Sequence, residues 1–414
     1  MADHARSDDP AVQAQLDRFA QLSPGRDILG LERISALMTA LGNPHRALPP
    51  VFHVAGTNGK GSTCTFLRFM LEAAGLRVHV YTSPHLVRFN ERVRVAGRLI
   101  EDAALAPLLA EVLDAAEGAG IAPSFFEATT AAAFLAFART PADACVIEVG
   151  LGGRLDATNV IEAPLVCGIA QLGVDHQAFL GDDAVVIAGE KAGIAKAGAP
   201  LVTLAYPRAQ TQRVAAVAAA AGATVRVKGK DWQAEAYPLG LSGGFQAENA
   251  ALAVAMLRHQ SRLAVSDDAI RAGLAAAHWP ARLQRLKAGP LVREGAEVWL
   301  DGCHNPAAAE LVAQHFAKGG PIDLVCGILA NKDAVGILRP FKGLVERFTA
   351  VPIVGHEHHA PADLALLADA LEMNADVATD VGAALARHAE RPVLIMGSLY
   401  LAGEVLRLND QLPD

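Results

Sequence analysis

The stretch Val51–Ser62 reads Val-Phe-His-Val-Ala-Gly-Thr-Asn-Gly-Lys-Gly-Ser and holds the residues best placed to do chemistry. Gly56, Gly59 and Gly61 free the backbone for a tight turn, so successive N–H groups can face one anion. Val51–Val54 reads as a short strand before the turn. Phe66, Leu67, Phe69, Met70 and Leu71 follow at helical spacing. A strand, a glycine-rich turn and a helix start make a phosphate cradle, because the helix dipole favours negative charge at that end. Lys60 adds a cation for a terminal phosphate, and Ser62 or Thr63 offers a hydroxyl to Mg²⁺. The strict phosphate-loop spelling is not met: Val54 stands where its first glycine belongs, and Gly61 separates Lys60 from Ser62. An ordinary glycine-rich turn is the alternative. Strand, turn, lysine and hydroxyl nevertheless fall in the order that phosphate binding needs.

Other residues carry weaker signals. Glu148 lies near the carboxyl end of the apolar run Ala144–Gly150, where open α/β sheets place ligands. A carboxylate there is costly unless paired, either with a metal or with a core arginine. Gln246 and Asn249 are three apart and share a helix face. Their amides can read an adenine edge or simply cap an alanine-rich helix. His176 follows Asp175, but imidazole is not a typical Mg²⁺ ligand. His356, His358 and His359 surround Glu357 and read as a surface loop. No Ser–His–Asp arrangement stands out.

The chain has 414 residues, enough for two or three domains. It is 52% hydrophobic and 19% charged, so it buries sizeable cores. Lys+Arg number 36 against 44 Asp+Glu, a net −8 that argues against a general nucleic-acid binder. Apolar runs such as Ala128–Ala138 are too short to span a bilayer. Met1–Pro10 is charged and does not read as a signal peptide. Cys64, Cys145, Cys167, Cys303 and Cys326 lack any Cys-x-x-Cys spacing. They read as reduced, buried thiols of a cytoplasmic protein.

The elements that must position these residues alternate. Asp17–Leu41 has helical periodicity. Strands are expected at Val51–Val54, Arg77–Thr82, Ala144–Gly150 and Leu165–Leu172, with small ones at Thr224–Lys230 and on to Leu241. Ser83–Val93 reads as a long loop and Ser124–Ala138 as an alanine-rich helix. Glu190–Lys196 is expected to begin a short helical piece. A polar boundary lies near Ala288–Glu297. Beyond it, strands Val298–Asp301, Ile322–Leu329, Phe348–Val354 and Val393–Met396 alternate with helices 305–316, 335–338, 361–371 and 399–408. That alternation means a second parallel α/β domain. The expected division is 1–288 and 289–414.

The spelling Gly-Thr-Asn-Gly-Lys-Gly-Ser at 56–62 closely resembles the ATP loop of the folylpolyglutamate synthase/dihydrofolate synthase branch of the Mur ligases. Supporting motifs appear in the right order. They are Glu-Lys-Ala-Gly-Ile at 190–194, Leu-Gly-Gly-Arg-Leu-Asp-Ala-Thr-Asn at 151–159, Trp-Pro-Ala-Arg at 279–282, Asp-Gly-Cys-His-Asn-Pro at 301–306 and Gly-Ser-Leu-Tyr at 397–400. The resemblance covers about Asp27 to Glu404. It implies a P-loop-type ATPase domain followed by a smaller Rossmann-like ligase domain. It implies that ATP is held by Gly56, Thr57, Asn58, Gly59, Lys60, Gly61 and Ser62, with Gln246, Asn249, Arg282, Asp301 and His304. Mg²⁺ would be held by Ser62, Ser83, Glu148, His176 and Lys191, the last as an N-carbamate or else as an ammonium touching an anion.

Phe125, Phe126, Phe134 and Phe137 read mostly as core, with Phe126 or Thr129 as candidate substrate contacts beside Arg154, and Asp156 would meet the pterin in bidentate fashion. Ala281 replaces the family's usual glycine before Arg282. Lys332 is a candidate for the incoming carboxylate, and His304 for the acid/base partner of the amine. The implied reaction joins L-glutamate to dihydropteroate or a tetrahydrofolate, in a monomer, through an acyl phosphate. The catalytic set would be Lys60, Lys191, His176 and His304. A cell-wall Mur ligase or a non-catalytic nucleotide switch are the competing readings.

Overall fold

A computed structural model describes residues 7–22, 29–387 and 391–414. Parts of the readings for Met1–Pro10 and Asp17–Leu41, and the start of the stretch from Asp27, lie outside the described residues. Within 17–41 the described part belongs to two helices, Pro10–Leu22 and Glu32–Ala40, not one.

The chain divides into two compact units. One comprises Met1–Gly240 and Ala247–Ala277, the other Leu241–Gln246 and His278–Asp414. Residues 278–288, read from composition as the end of the first domain, lie with the second unit, because Gln284–Arg285 pairs with its sheet.

The first unit carries an eight-stranded sheet. Its strands are β1 Val51–Ala55, β2 Val78–Tyr81, β3 Val93–Val95, β4 Arg98–Leu99, β5 Ala144–Glu148, β6 Val166–Ile169, β7 Pro200–Thr203 and β8 Thr224–Val227. Their order is β4-β3-β2-β5-β1-β6-β7-β8. All neighbours from β2 to β8 pair in parallel, and β3 and β4 add an antiparallel edge. β1, β2, β5 and β6 are buried at every residue, as strands covered on both faces must be. Helices Lys60–Ala73 and Phe125–Arg139 supply part of that cover, the second started by a Ser124–Glu127 capping box.

The second unit has six strands: β9 Gln284–Arg285, β10 Val298–Leu300, β11 Ile322–Cys326, β12 Val345–Ala350, β13 Asn374–Val377 and β14 Val393–Met396. The order is β13-β12-β11-β14-β10-β9, parallel except for β9. Two parallel-rich α/β sheets are the expected fold class.

Several local expectations need correction. Glu190–Lys191 ends the helix Ala184–Ala192 instead of starting one, because Asp183 caps that helix from the other side with N–H bonds from Val185 and Val186. The segment from Lys228 to Leu241 makes only an isolated bridge, Lys228 to Trp232, and no strand. β3, β4, β7, β9 and β13 went unread: three are very short, one opens on a proline, and β13 carries Asn374 and Asp376. Among the described residues no helix is long and apolar enough to cross a membrane.

Candidate active site

The first unit gathers its chemistry at the carboxyl edge of β2, β5, β1 and β6. Gly56 follows β1, Ser83 lies just past β2, Glu148 ends β5, and Gln171 follows β6. The phosphate turn is pinned to the last of these. Thr57 and Asn58 donate backbone N–H groups to Gln171 O at 2.8 and 3.2 Å, and Thr57 Oγ1 donates to Gly173 O at 2.8 Å. Thr57 therefore shapes the turn. Gly59 starts the helix Lys60–Ala73 at φ +83, and a Cβ there would collide with the buried Asn249 amide. Glycine is needed at that point on both counts. The same contact puts Asn249 directly over the cradle.

Two lysines converge on one carbonyl. Lys60 Nζ donates to Gly56 O at 3.2 Å and to Thr57 O at 3.3 Å. Lys191 Nζ donates to the same Gly56 O at 3.0 Å. Lys191 is buried, and that burial, followed by the neighbouring Lys60 charge, lowers its pKa from 10.5 to about 7. Asp175 and Asp156 oppose the shift. Of the two hydroxyl candidates, Thr63 donates back to Gly59 O at 2.9 Å, which leaves buried Ser62 as the hydroxyl of the loop. Glu148 is 5% exposed and accepts the Ser83 N–H at 3.3 Å. His176 stands on an exposed turn at φ +54, next to the Asp175 whose charge reaches Lys191.

The donors fit a hard divalent cation. Hydroxyl and carboxylate oxygens suit Mg²⁺. No group of three or more His, Cys, Asp or Glu suited to a metal occurs among the described residues. The candidate set instead mixes the Ser62 and Ser83 hydroxyls with the Glu148 carboxylate.

The loop after β5 packs against the end of the Lys191 helix. A side chain on Gly153 would strike Glu190 O and Lys191 O, and Arg154 N donates to Glu190 O at 2.8 Å. Arg154 Nε also reaches Glu190 Oε1 at 3.0 Å. Asp156, 3% exposed, accepts N–H bonds from Leu151 at 2.8 Å and Thr158 at 3.0 Å, and the Thr158 hydroxyl at 2.5 Å. Burial pushes its carboxyl pKa up, against those three donors and a fourth, the Gly150 backbone N–H. The roughly four lone-pair positions of the carboxylate are thus taken. The expected bidentate grip on a pterin does not fit this geometry. Phe126 is half-buried with its ring against Gly150, 6.0 Å from the Tyr81 ring. Thr129 is fully buried and gives its hydroxyl proton to Phe125 O at 2.8 Å, so that hydroxyl serves the helix.

In the second unit, Asp301 ties its own turn together. Its two oxygens accept the N–H groups of Leu283 and Cys303, each at 2.8 Å. Burial raises its pKa, and the Arg282 charge works against that. His304 Nδ1 donates to Gly302 O at 2.8 Å, which makes Nε2 the basic nitrogen of the neutral ring. Asn305 caps the helix Pro306–Phe316 through Ala308 N at 2.9 Å, with Pro306 at the first helical position. Gln246 is the first residue of the helix Gln246–Arg258 and is buried. Lys332 O accepts from His359 Nε2 at 3.0 Å, and His358 Nδ1 donates to His356 O at 2.7 Å. The histidine segment thus packs on the loop that carries Lys332.

Ala281 adopts φ +54 while fully buried. That conformation costs a non-glycine residue about 1–2 kcal/mol. Glycine would remove the strain but lose about 0.4–1 kcal/mol through the unfolded chain. Ala281→Gly is therefore expected to stabilise the second unit by up to about 1 kcal/mol, read as a higher urea midpoint. A lower midpoint would place the strain of this turn elsewhere, Leu283 at φ +43 being the neighbour to test.

Sequence reading missed His53 and Thr158, which meet in the core at 2.9 Å. The available signal was a histidine inside an otherwise apolar central strand.

A family model described as the C-terminal domain of dihydrofolate synthetase matches residues 284–408. A dihydrofolate synthase/folylpolyglutamate synthase of Escherichia coli K12 is 37% identical over 402 residues, covering 92% of each chain. The solved structure of E. coli FolC in complex with DHPP and ADP superposes with a TM-score of 0.86 at 33% identity, over 97% of this chain and 98% of that one. A bifunctional folylpolyglutamate synthase/dihydrofolate synthase with Mn, AMPPNP and L-glutamate bound gives 0.84 at 33% identity, over 96% and 97%.

Proposed function

This chain belongs to the dihydrofolate synthase/folylpolyglutamate synthase family, and we propose that it joins L-glutamate to dihydropteroate and to tetrahydrofolates at the expense of ATP. The observation that carries the reading is the phosphate turn with Lys60 and Lys191 on one carbonyl, beside the packed loop 150–159. The acceptor carboxylate attacks the γ-phosphorus of ATP, and ADP leaves. The resulting acyl phosphate is then attacked by the glutamate amine, and phosphate leaves. Two anions must meet in the first step. A unit-charge pair at 4 Å repels by about 4 kcal/mol at an effective dielectric of 20.

Backbone N–H groups at the start of the helix Lys60–Ala73 and the Lys60 ammonium offset that repulsion. We assign Arg282, Asp301, Gln246 and Asn249 to the nucleotide, and Lys332 to the incoming amino acid's carboxylate. His304 Nε2 is the base for the amine proton. Ser62, Ser83 and Glu148 are the residues we assign to Mg²⁺, with Lys191 and His176 completing the set. Bound there, the ion would neutralise phosphate charge.

In the loop 150–159, Phe126 and Arg154 border the pterin. Asp156 holds that loop. We assign the nucleotide role to 1–288, of which 278–288 fold with the second unit, and the glutamate-ligase role to 289–414. The cytoplasm is the place we propose for the chain, in keeping with five unpaired, buried cysteines.

ADP release tests the reading. Dihydropteroate plus glutamate, and tetrahydrofolate plus glutamate, should each give ADP and a glutamylated product by mass. UDP-muramyl peptide should give none. ADP formation with tetrahydrofolate alone would reduce the assignment to a folylpolyglutamate synthase.

A further inference from the structure

His53 and Thr158 hold none of the roles above, yet they connect the strand behind the phosphate turn to the loop 150–159. His53 lies inside β1, between β5 and β6, and is 0% exposed. Its Nε2 is 2.9 Å from Thr158 Oγ1, which is 2.5 Å from Asp156 Oδ1. Counting protons decides the direction of each bond. The Asp156 carboxylate also takes two backbone N–H groups, so it accepts throughout. The single hydroxyl proton of Thr158 goes to Asp156, and the hydroxyl oxygen then accepts from the ring. His53 must therefore present Nε2–H, and its Nδ1 is a buried nitrogen without a partner.

Such a nitrogen is unfavourable, and a leucine would pack this strand without it. The packing of β1 therefore gives no reason for histidine here. Burial keeps the ring neutral, with its pKa lowered to about 3, so it acts as a fixed donor across the physiological range.

We propose that His53 is a positioning residue for the acceptor. Its Nε2–H orients Thr158, Thr158 orients Asp156, and the loop 150–159 takes its register from the strand that leads into the phosphate turn. This rests on the reading of that loop as the acceptor loop.

Steady-state kinetics with dihydropteroate, ATP and glutamate tests it on His53→Leu, His53→Gln, Thr158→Val and Thr158→Ser. His53→Leu and Thr158→Val should raise the KM for dihydropteroate by about 10-fold, with the KM for ATP within about 2-fold of the parent. Gln places an N–H near the lost Nε2–H, and Ser keeps the hydroxyl. Both should recover the parent KM to within about 3-fold. Combining His53→Leu with Thr158→Val should add little to either alone, since they break one chain of bonds.

The proposal falls if the two KM values rise together, or if Gln does no better than Leu. Should His53→Leu not fold, the Thr158 pair decides by the same criterion: Val no different from Ser overturns it. A parent enzyme that does not use dihydropteroate would overturn the acceptor reading itself, a result visible before any variant is made.

Discussion

Lys60→Ala is expected to lower kcat by about 10²- to 10³-fold while leaving the fold intact. The side chain is the cation closest to the start of the helix Lys60–Ala73, and it hovers over the turn through Gly56 O and Thr57 O. Neither bond holds the turn in place. That is done by Thr57 and Asn58 on Gln171 and by Thr57 on Gly173. Alanine is the best helix former, so the helix start survives the change. What disappears is a positive charge aimed where phosphoryl charge moves during transfer. The loss should therefore fall on kcat as well as on the KM for ATP. Coupled ADP release together with circular dichroism checks it. A folded variant that forms ADP at the parent rate would sink the phosphate-loop assignment.

Lys191→Ala should cost a comparable factor, about 10²-fold or more, for a different reason. Burial and the Lys60 charge bring this amine to a pKa of about 7, so roughly half of it is neutral at pH 7. A neutral amine attacks CO₂ and releases a proton, leaving a carbamate anion. That anion would give the Glu148 side of the site a second carboxylate-like group, which the oxygen preference of Mg²⁺ favours. The sign with pH follows from the neutral fraction. Below pH 7 the ammonium prevails and CO₂ uptake falls, and above pH 7 it rises.

Carbon-13 NMR with labelled bicarbonate should show a carbamate signal that grows through pH 7 and is absent from Lys191→Ala. A short-chain carboxylate in solution should partly restore the variant's turnover. A parent spectrum without that signal would leave Lys191 as an ammonium contact to an anion. An Ala variant with parent turnover would remove the residue from the site altogether.

What was legible in the sequence was local. Gly56–Ser62 could be read because strand, turn, lysine and helix lie within a dozen residues, and each obeys a short-range rule. The place of Glu148 at the end of β5 could be read because the apolar run before it marks the strand. The alternating elements of 298–408 could be read from period alone.

What failed was long-range. Thr158 sits 105 residues from His53, and no local pattern announces that they touch. The Asp156 carboxylate looked available for a ligand because its donors come from a turn whose shape the linear sequence does not state. Thr129 looked like a contact until its hydroxyl proved committed one turn back along its own helix. Lys191 was placed at a helix start because the Asp183 cap lies outside the motif that drew attention.

The strand order of the first sheet also bears on how the chain is made. β1 is made before both of its neighbours, β5 and β6. About 93 residues separate the end of β1 from the end of β5, roughly 5–19 s of synthesis at 5–20 residues per second. Throughout that interval the strand that leads into Gly56 has neither partner, and its unpaired backbone groups and apolar side chains stay open to wrong pairings. β2 cannot shield it, since it too must wait for β5. The phosphate turn is thus made well before the strands that close around it. A shortage of nascent-chain protection should therefore be felt first as misfolding of this sheet.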